Sequence, residues 1–295
     1  MKSDNAYITS LETAITPATK EEQIKLQHEM QMNYRQGIGE LLYAMITCRP
    51  DISYPVIKLS QYSNNPAKEH YQAIKEIYQY LAQTEDDGIY YWRKEDNNEL
   101  PHMPIPGIKS ELRQENTDTP DKDPSKAQAY VDSDWAADTT HRKSISGFVI
   151  SLAGGTVYYK TKFQETIATS TAEAEFTAAF EAAKAICYVR TILNELDICQ
   201  SEATVLHIDN NAALLMADAS KPTKNSRHME IKQFKLQEWV EKDIIEMKRI
   251  HTHDNRSDTL TKSLGQTLYY RHNDKLLGKY IPQYRQGPEQ GQRIG

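Results

Sequence analysis

The hydrophobic rhythm of the chain changes twice. From about residue 34 apolar positions recur at helical spacing between clear punctuation: Ser53 and Pro55 suit the start of one helix, and Asn65 with Pro66 the start of the next, with proline at the first helical position. In that second helix Tyr71, Ile74, Ile77, Tyr78 and Leu81 make one apolar stripe, which predicts a packed core face before a binding groove. From about residue 97 to 126 the pattern collapses into Pro101, Pro104, Pro106, Pro120 and Pro124 among charged and polar residues. Such a stretch reads as a linker, and its length favours a boundary between two units over a loop inside one.

Beyond the linker the signals alternate. Residues 127–133 and 146–152 read as strands, and Gly154-Gly155 as a hairpin turn into a third strand, 156–160. A long helix follows, capped by Ser170 or Thr171, with an alanine-rich body through Phe176, Ala179, Phe180, Ala183, Ile186 and Leu193 to about Leu196. Then come a short strand at 204–208, helices at 211–217 and 228–242, a fifth strand at 244–250 and a final helix around 258–264. The order βββαβααβα predicts an α/β fold with a mixed five-stranded sheet covered by helices. Residues 1–98 form the first unit, mainly helical from about 34; 99–126 are the linker, 127–265 the sheet domain and 266–295 a C-terminal tail that packs or frays.

Composition narrows the functions. The 295 residues leave room for two units, and 39% hydrophobic with 26% charged residues is ordinary for a soluble protein; the mean hydropathy of -0.71 reflects polar connectors. A net charge of -6 excludes bulk attraction as the way of gripping nucleic acid, so any such contact must be local. Cys48, Cys187 and Cys199 form no Cys-x-x-Cys pair, which argues against a disulfide framework or a structural zinc and for a reducing compartment. The first residues lack the apolar run of a secretory signal, and no apolar stretch approaches the roughly 20 residues that span a bilayer, so no membrane partner is expected.

Four carboxylates stand where chemistry could gather: Asp132 on the first strand, Glu175 early in the long helix, Asp209 ending the fourth strand and Asp258 beginning the last helix. Each has a duller duty when taken singly. Asp132 could end a strand in a turn, Asp209 could cap the helix after it, and Glu175 and Asp258 could sit in solvent near positive helix ends. Together, with the first and fourth strands adjacent at the centre of the sheet, they would converge, and convergent carboxylates make sense around hard cations that take oxygen ligands. Glu173 and Glu175 lie ~200° apart on a helix, so only one faces the site. Asp132 and Asp134 share a strand face, and geometry alone does not separate them.

The runs Tyr130-Val131-Asp132-Ser133-Asp134-Trp135-Ala136, Arg142-Lys143-Ser144-Ile145-Ser146-Gly147, Ser170-Thr171-Ala172-Glu173-Ala174-Glu175-Phe176, Ile208-Asp209-Asn210-Asn211 and Ser257-Asp258-Thr259-Leu260-Thr261-Lys262 closely resemble the ribonuclease H region of copia-type retrotransposon polyproteins. Upstream, Tyr34-Arg35-Gln36-Gly37-Ile38-Gly39, Thr47-Cys48-Arg49-Pro50-Asp51-Ile52-Ser53-Tyr54 and Asn65-Pro66-Ala67-Lys68-Glu69-His70 are similar to the end of the reverse transcriptase in the same polyproteins. The resemblance spans roughly 34–277.

The resemblance implies a ribonuclease H-like sheet domain preceded by a small helical, connection-like remnant of the reverse transcriptase. It selects Glu175 over Glu173 and Asp132 over Asp134. It further implies that Asp132, Glu175, Asp209 and Asp258 hold two Mg²⁺ ions, with Mn²⁺ as a substitute, and that they cut the RNA strand of an RNA–DNA hybrid to leave 5′-phosphate and 3′-hydroxyl ends. The implied partners are that hybrid and the remainder of the Pol polyprotein, in the cytoplasm, a virus-like particle or the nucleus. The reverse transcriptase family carries its polymerase carboxylates in a Tyr-x-Asp-Asp motif; none stands in this sequence, so polymerisation is not expected.

His251 and His253 stand before the final aspartate, where an accessory proton-transfer or product-release role and an ordinary loop position both remain open. Asn210, Arg142, Lys224 and Arg227 are candidate nucleic-acid contacts. Lys224 and Arg227 belong to a basic stretch with Lys221, Lys232 and Lys235, for which a solvated face is the alternative. An integrase or transposase would end its carboxylate series on a glutamate, and here the glutamate comes second. An inactive nucleic-acid-binding remnant is the remaining alternative.

Overall fold

A computed structural model describes residues 5–91, 126–138, 142–218 and 227–279. All but the last residue of the expected linker, Lys221, Lys224 and the end of the expected tail lie outside the described residues.

The first part is helical: α1 (Asn5–Glu12), α2 (Lys20–Met30), α3 (Tyr34–Thr47), α4 (Ser53–Ser60) and α5 (Lys68–Gln83). Helical structure thus starts earlier than the apolar pattern predicts. The reason is that α2 buries Met30 and little else, so it carries no stripe to read. What starts it is a capping box: the Thr19 hydroxyl accepts the Glu22 N–H at 3.2 Å, and the Glu22 carboxylate accepts the Thr19 N–H at 3.2 Å. The stripe of α5 does meet a core, with Tyr71, Ile74 and Ile77 packed against Tyr34, Ile38, Leu41 and Met45. Pro66 is not at the first helical position. Ala67 is the N-cap, its N–H donating to the His70 ring at 2.9 Å, and Asn65 is spent on the carbonyl of Pro17 and the side chain of Gln23.

The second part carries the sheet. Its strands are β1 (Gln128–Asp134), β2 (Ile145–Leu152), β3 (Gly155–Phe163), β4 (Thr204–Ile208) and β5 (Ile245–Arg249), ordered β3-β2-β1-β4-β5. The β1, β2 and β3 pairings are antiparallel, and β4 runs parallel to both β1 and β5. The hairpin turns one residue earlier than expected, on Ala153 and Gly154, with φ of 53° and 77°, so Gly155 already pairs with Leu152. Two positive φ values are what a two-residue turn needs to match the twist of its strands.

Strand alternation gives the sheet two faces. Ala129, Val131, Phe148 and Ile150 lie under α6 (Thr171–Glu195), whose buried Ala178, Ala179, Ala182 and Ala183 let the helix approach closely. Tyr130 and Val149 meet Leu260 and Leu276 on the other side. There the expected final helix is a single turn, α9 (Asp258–Thr261), after α7 (Asn211–Asp218) and α8 (Arg227–Glu241), and a further helix, α10 (Gln266–Leu276), follows it. Residues 266–277, expected within a tail, are packed: Leu276 and Leu277 are fully buried, because the polar sequence of α10 hides its few apolar residues against the sheet. Gly147, the partner of Asp132 across the β1–β2 ladder, makes room for α9; a Cβ there would stand 2.6 Å from Thr261 and 2.8 Å from Leu260.

The helical part touches the sheet domain at several points. The buried Lys58 ammonium donates to the Ala137 carbonyl at 2.8 Å, the Tyr91 hydroxyl to the Thr156 carbonyl at 2.7 Å, and the Tyr159 hydroxyl to the Met45 carbonyl. The largest such joint centres on Asp51. Its carboxylate takes Arg49 Nε and Nη2 at 2.9 and 2.8 Å and the Tyr80 hydroxyl at 2.7 Å, while its carbonyl accepts the Tyr269 hydroxyl of α10 at 3.2 Å.

Candidate metal centre

Parallel pairing of β1 with β4 aligns Val131 with Ile208, so the next residues, Asp132 and Asp209, leave the centre of the sheet side by side. The Ser170 hydroxyl caps α6 on Glu173 N–H, and one turn on Glu175 reaches back so that its Oε1 accepts the Ser133 N–H at 3.2 Å. The loop before α6 is tied to the same strand end by the Trp135 indole N–H, which donates to the Ala168 carbonyl at 3.1 Å. These constraints bring carboxylate oxygens of Asp132, Glu175 and Asp209 within 4.8 Å of one another. Glu173 points elsewhere, accepting from the Thr169 N–H and hydroxyl at 2.7 and 2.6 Å.

Asp258 is outside that trio but next to it. It is buried at the start of α9 and ion-paired with Lys262, whose Nζ is 3.1 Å from Asp258 Oδ2 and 3.5 Å from Asp132 Oδ1. The Thr261 hydroxyl donates to the other Asp132 oxygen. Asn255, fully buried, anchors this turn by donating from Nδ2 to the Val131 carbonyl at 2.9 Å. Thr261 and Lys262 stand in the run Ser257 to Lys262, where the sequence pattern alone assigns them no duty. The signal was their spacing: three and four residues after Asp258, both return to the same side of one helical turn.

The remaining candidates are placed as follows. Thr252, unnoticed in the sequence, donates its hydroxyl to Asp209 Oδ2 at 3.1 Å and so orients that carboxylate. Asn210, rather than Asp209, caps α7, its Oδ1 accepting the Ala212 and Ala213 N–H groups at 2.8 and 3.2 Å. His251 and His253 are exposed and stacked on each other beside Thr252, with ring centroids 5.3 Å apart. Arg142 is exposed near the β1–β2 connection. Lys224 lies outside the described residues, as does the side chain of Arg227 at the start of α8. Lys232 lies over the Phe180 ring, and Lys235 pairs with Glu238, so these two are engaged on their own surface.

The electrostatics follow from packing so much negative charge out of water. Burial, then Asp132 and Asp209, pushes the Glu175 carboxyl well above the ordinary range; burial and then Asp132 does the same to Asp258 and, less strongly, to Asp209. Asp134 is pushed up to about 6 by burial and then by Asp132. Burial works against the Lys262 charge, but Asp132 and Asp258 outweigh it and hold the ammonium above the usual lysine value. Glu175 Oε2 and Asp258 Oδ1 are buried without a hydrogen-bond partner among the described residues, and Asp258 Oδ2 faces the Lys262 ammonium. An acceptor-only, orphaned, oxygen-rich cluster of this kind fits a hard divalent cation.

One consequence is measurable in the metal-free protein. Carboxyls raised in the fold keep protons that the unfolded chain releases, so the stability they lend is complete below about pH 4 and is lost as pH rises through the raised values. His272, buried and held down to about 3 by burial and then by Lys275, acts oppositely and lends stability lost on acidification. The cluster is isolated by comparing variants. In EDTA, the fall in Tm between about pH 5 and about pH 8 should be smaller in Glu175→Gln than in the unsubstituted chain. Equal pH profiles in the two would show that Glu175 does not carry a raised carboxyl.

No protein-family model matches the chain. Among curated proteins it is similar to the retrovirus-related Pol polyprotein from transposon TNT 1-94 of Nicotiana tabacum, 29% identical over 85% of this chain and 16% of that one. The Pol polyprotein from transposon RE1 of Arabidopsis thaliana is 30% identical over 84% of this chain and 15% of that one. The chain therefore spans only about a sixth of the length of these relatives. Secreted RxLR effector protein 161 of Plasmopara viticola is 31% identical over 50% of this chain and 85% of the effector. Among solved structures, LC11-RNase H1 in complex with RNA/DNA hybrid covers 46% of this chain and 94% of its own, at 16% identity and a TM-score of 0.35.

Proposed function

The chain belongs with the copia-type retrovirus-related Pol polyproteins, and from that kinship we propose that its sheet domain is a divalent-metal-dependent endonuclease that hydrolyses the RNA strand of RNA–DNA hybrids. The observation that carries the reading is the convergence of Asp132, Glu175 and Asp209, three carboxylates from three distant stretches with oxygens within 4.8 Å. A fold does not gather mutually repelling buried acids without a counter-charge, and oxygen donors select a hard cation such as Mg²⁺ or Mn²⁺.

A bound divalent cation supplies an activated water and charge relief for the leaving oxygen of an in-line displacement at a phosphodiester. The chain's own residues do the positioning. Ser133 N–H fixes Glu175 Oε1 and leaves Oε2 free for a ligand; Thr252 turns Asp209 inward; Thr261 and Lys262 clamp Asp132 from the α9 side. With a net charge of -6 the protein cannot hold a hybrid by bulk attraction. Discrimination would rest on groove shape and 2′-hydroxyl contacts, with the exposed Arg142, and Asn210 next to Asp209, as candidates, and base sequence would matter little.

The test is cleavage of a hybrid carrying separate labels on its two strands. The purified chain should cut the RNA strand internally in Mg²⁺, leave the DNA strand whole and stop in EDTA. A chain that binds hybrid but leaves the RNA intact would be the inactive remnant, and cutting that continues in EDTA would exclude the metal.

A further inference from the structure

The four acidic residues do not share one environment, and the difference lies in Lys262. Asp132, Glu175 and Asp209 bring their oxygens within 4.8 Å of one another. Asp258 instead faces Lys262, which contacts Asp258 Oδ2 at 3.1 Å and Asp132 Oδ1 at 3.5 Å while both carboxylate side chains are at most 2% exposed. A second metal ion in a two-metal centre would stand about 3.5–4 Å from the first. Asp132 belongs to the trio and also contacts Lys262, so the place between it and Asp258 already holds a positive charge tethered to the chain.

The tether is built in. Asn255 pins the turn to β1 through the Val131 carbonyl, Gly147 lets α9 lie against the β1–β2 ladder, and α9 ends at Thr261, so Lys262 extends from a fixed point. Asp258 has no donor other than Lys262 among the described residues, so without the ammonium its charge would be buried unpaired. Breaking a buried pair by removing one partner is far costlier than keeping it. A divalent ion entering this place would have to expel the ammonium from two carboxylates at once.

We propose that the centre of the hybrid-free chain takes one divalent cation, at Asp132, Glu175 and Asp209, and that the Lys262 ammonium fills the second cation position between Asp132 and Asp258. This rests on the reading of the cluster as a metal centre, and it departs from the two ions that the family resemblance implies. Asp258 is then a partner of Lys262 and not a ligand of the bound ion.

Mn²⁺ alone, titrated into the full chain and followed both calorimetrically and by the electron paramagnetic resonance of the free ion, decides the matter. The unsubstituted chain should bind one ion. Lys262→Met, which keeps the length and removes the charge, should bind two, while Lys262→Arg should still bind one. Asp258→Asn should leave the affinity for the single ion within about threefold, and Asp209→Asn should abolish it. Two ions in the unsubstituted chain would overturn the proposal and leave the nuclease reading intact, and this holds even if Lys262→Met fails to fold. One ion in both the unsubstituted and the Lys262→Met chains would also overturn it, as would a tenfold loss of affinity in Asp258→Asn. No binding by the unsubstituted chain would sink the metal centre itself, and this inference with it.

Discussion

Asp132→Asn is expected to stop hybrid cleavage, lowering the rate at least ~10³-fold, because it removes several kcal/mol of metal-supplied charge stabilisation at ~1.4 kcal/mol per decade. Asp132 is the residue on which the centre turns: it belongs to the trio, accepts from Thr261 and Lys262, and its charge raises the carboxyls of Glu175, Asp209, Asp258 and Asp134. A residue that mattered only for folding would take stability down with activity. Here the two should part. Replacing one of several crowded negative charges relieves repulsion, so in EDTA at about pH 8 the Tm of Asp132→Asn should hold or rise. Melting curves beside rate measurements check this, and a variant that loses activity only in proportion to lost folded protein would remove Asp132 from the chemistry.

The largest loss of stability is expected far from the carboxylates, from Asp51→Ala. That substitution leaves Arg49, only 5% exposed, with a buried charge and no carboxylate, and strips the Tyr80 hydroxyl of its acceptor. Orphaning one partner of a buried pair costs ~3–5 kcal/mol, which for a chain of this size is a fall in Tm of roughly 6–20 °C. Tyr269→Phe removes two outer hydrogen bonds of the same joint, to the Asp51 carbonyl and the Tyr80 hydroxyl, and should cost only ~1 kcal/mol each. Thermal denaturation of the two variants measures both; a fall for Asp51→Ala no larger than for Tyr269→Phe would show that the joint does not hold the helical part to α10.

The Asp51 joint shows where sequence reading ran short. The run Thr47 to Tyr54 was conspicuous as a string, yet nothing in it tells that Arg49 and Asp51 turn inward together or that Tyr269, more than two hundred positions on, completes their shell. The same holds for α10. Gln266 to Leu276 is polar enough to suggest a tail, and its burial depends on Tyr130, Val149 and Leu260 arriving on one side of the sheet. The start of α2 is legible in Thr19-x-x-Glu22, although the helix that follows carries no apolar stripe.

What the sequence alone determined was local: the five strands from their alternation, and α6 from its serine cap and alanine-rich body. These depend on backbone preferences and on periodicities of two and 3.6, which act between residues close in the chain. Tertiary structure decided which acids meet and which do not: Glu175 and not Glu173 at the strand end, and Asp258 paired with Lys262 beside the trio, not within it. The physical reason is that distances of a few ångströms between groups over a hundred residues apart are fixed by packing, here by the absent side chain of Gly147 and the Asn255 bond to β1, and no periodicity encodes them.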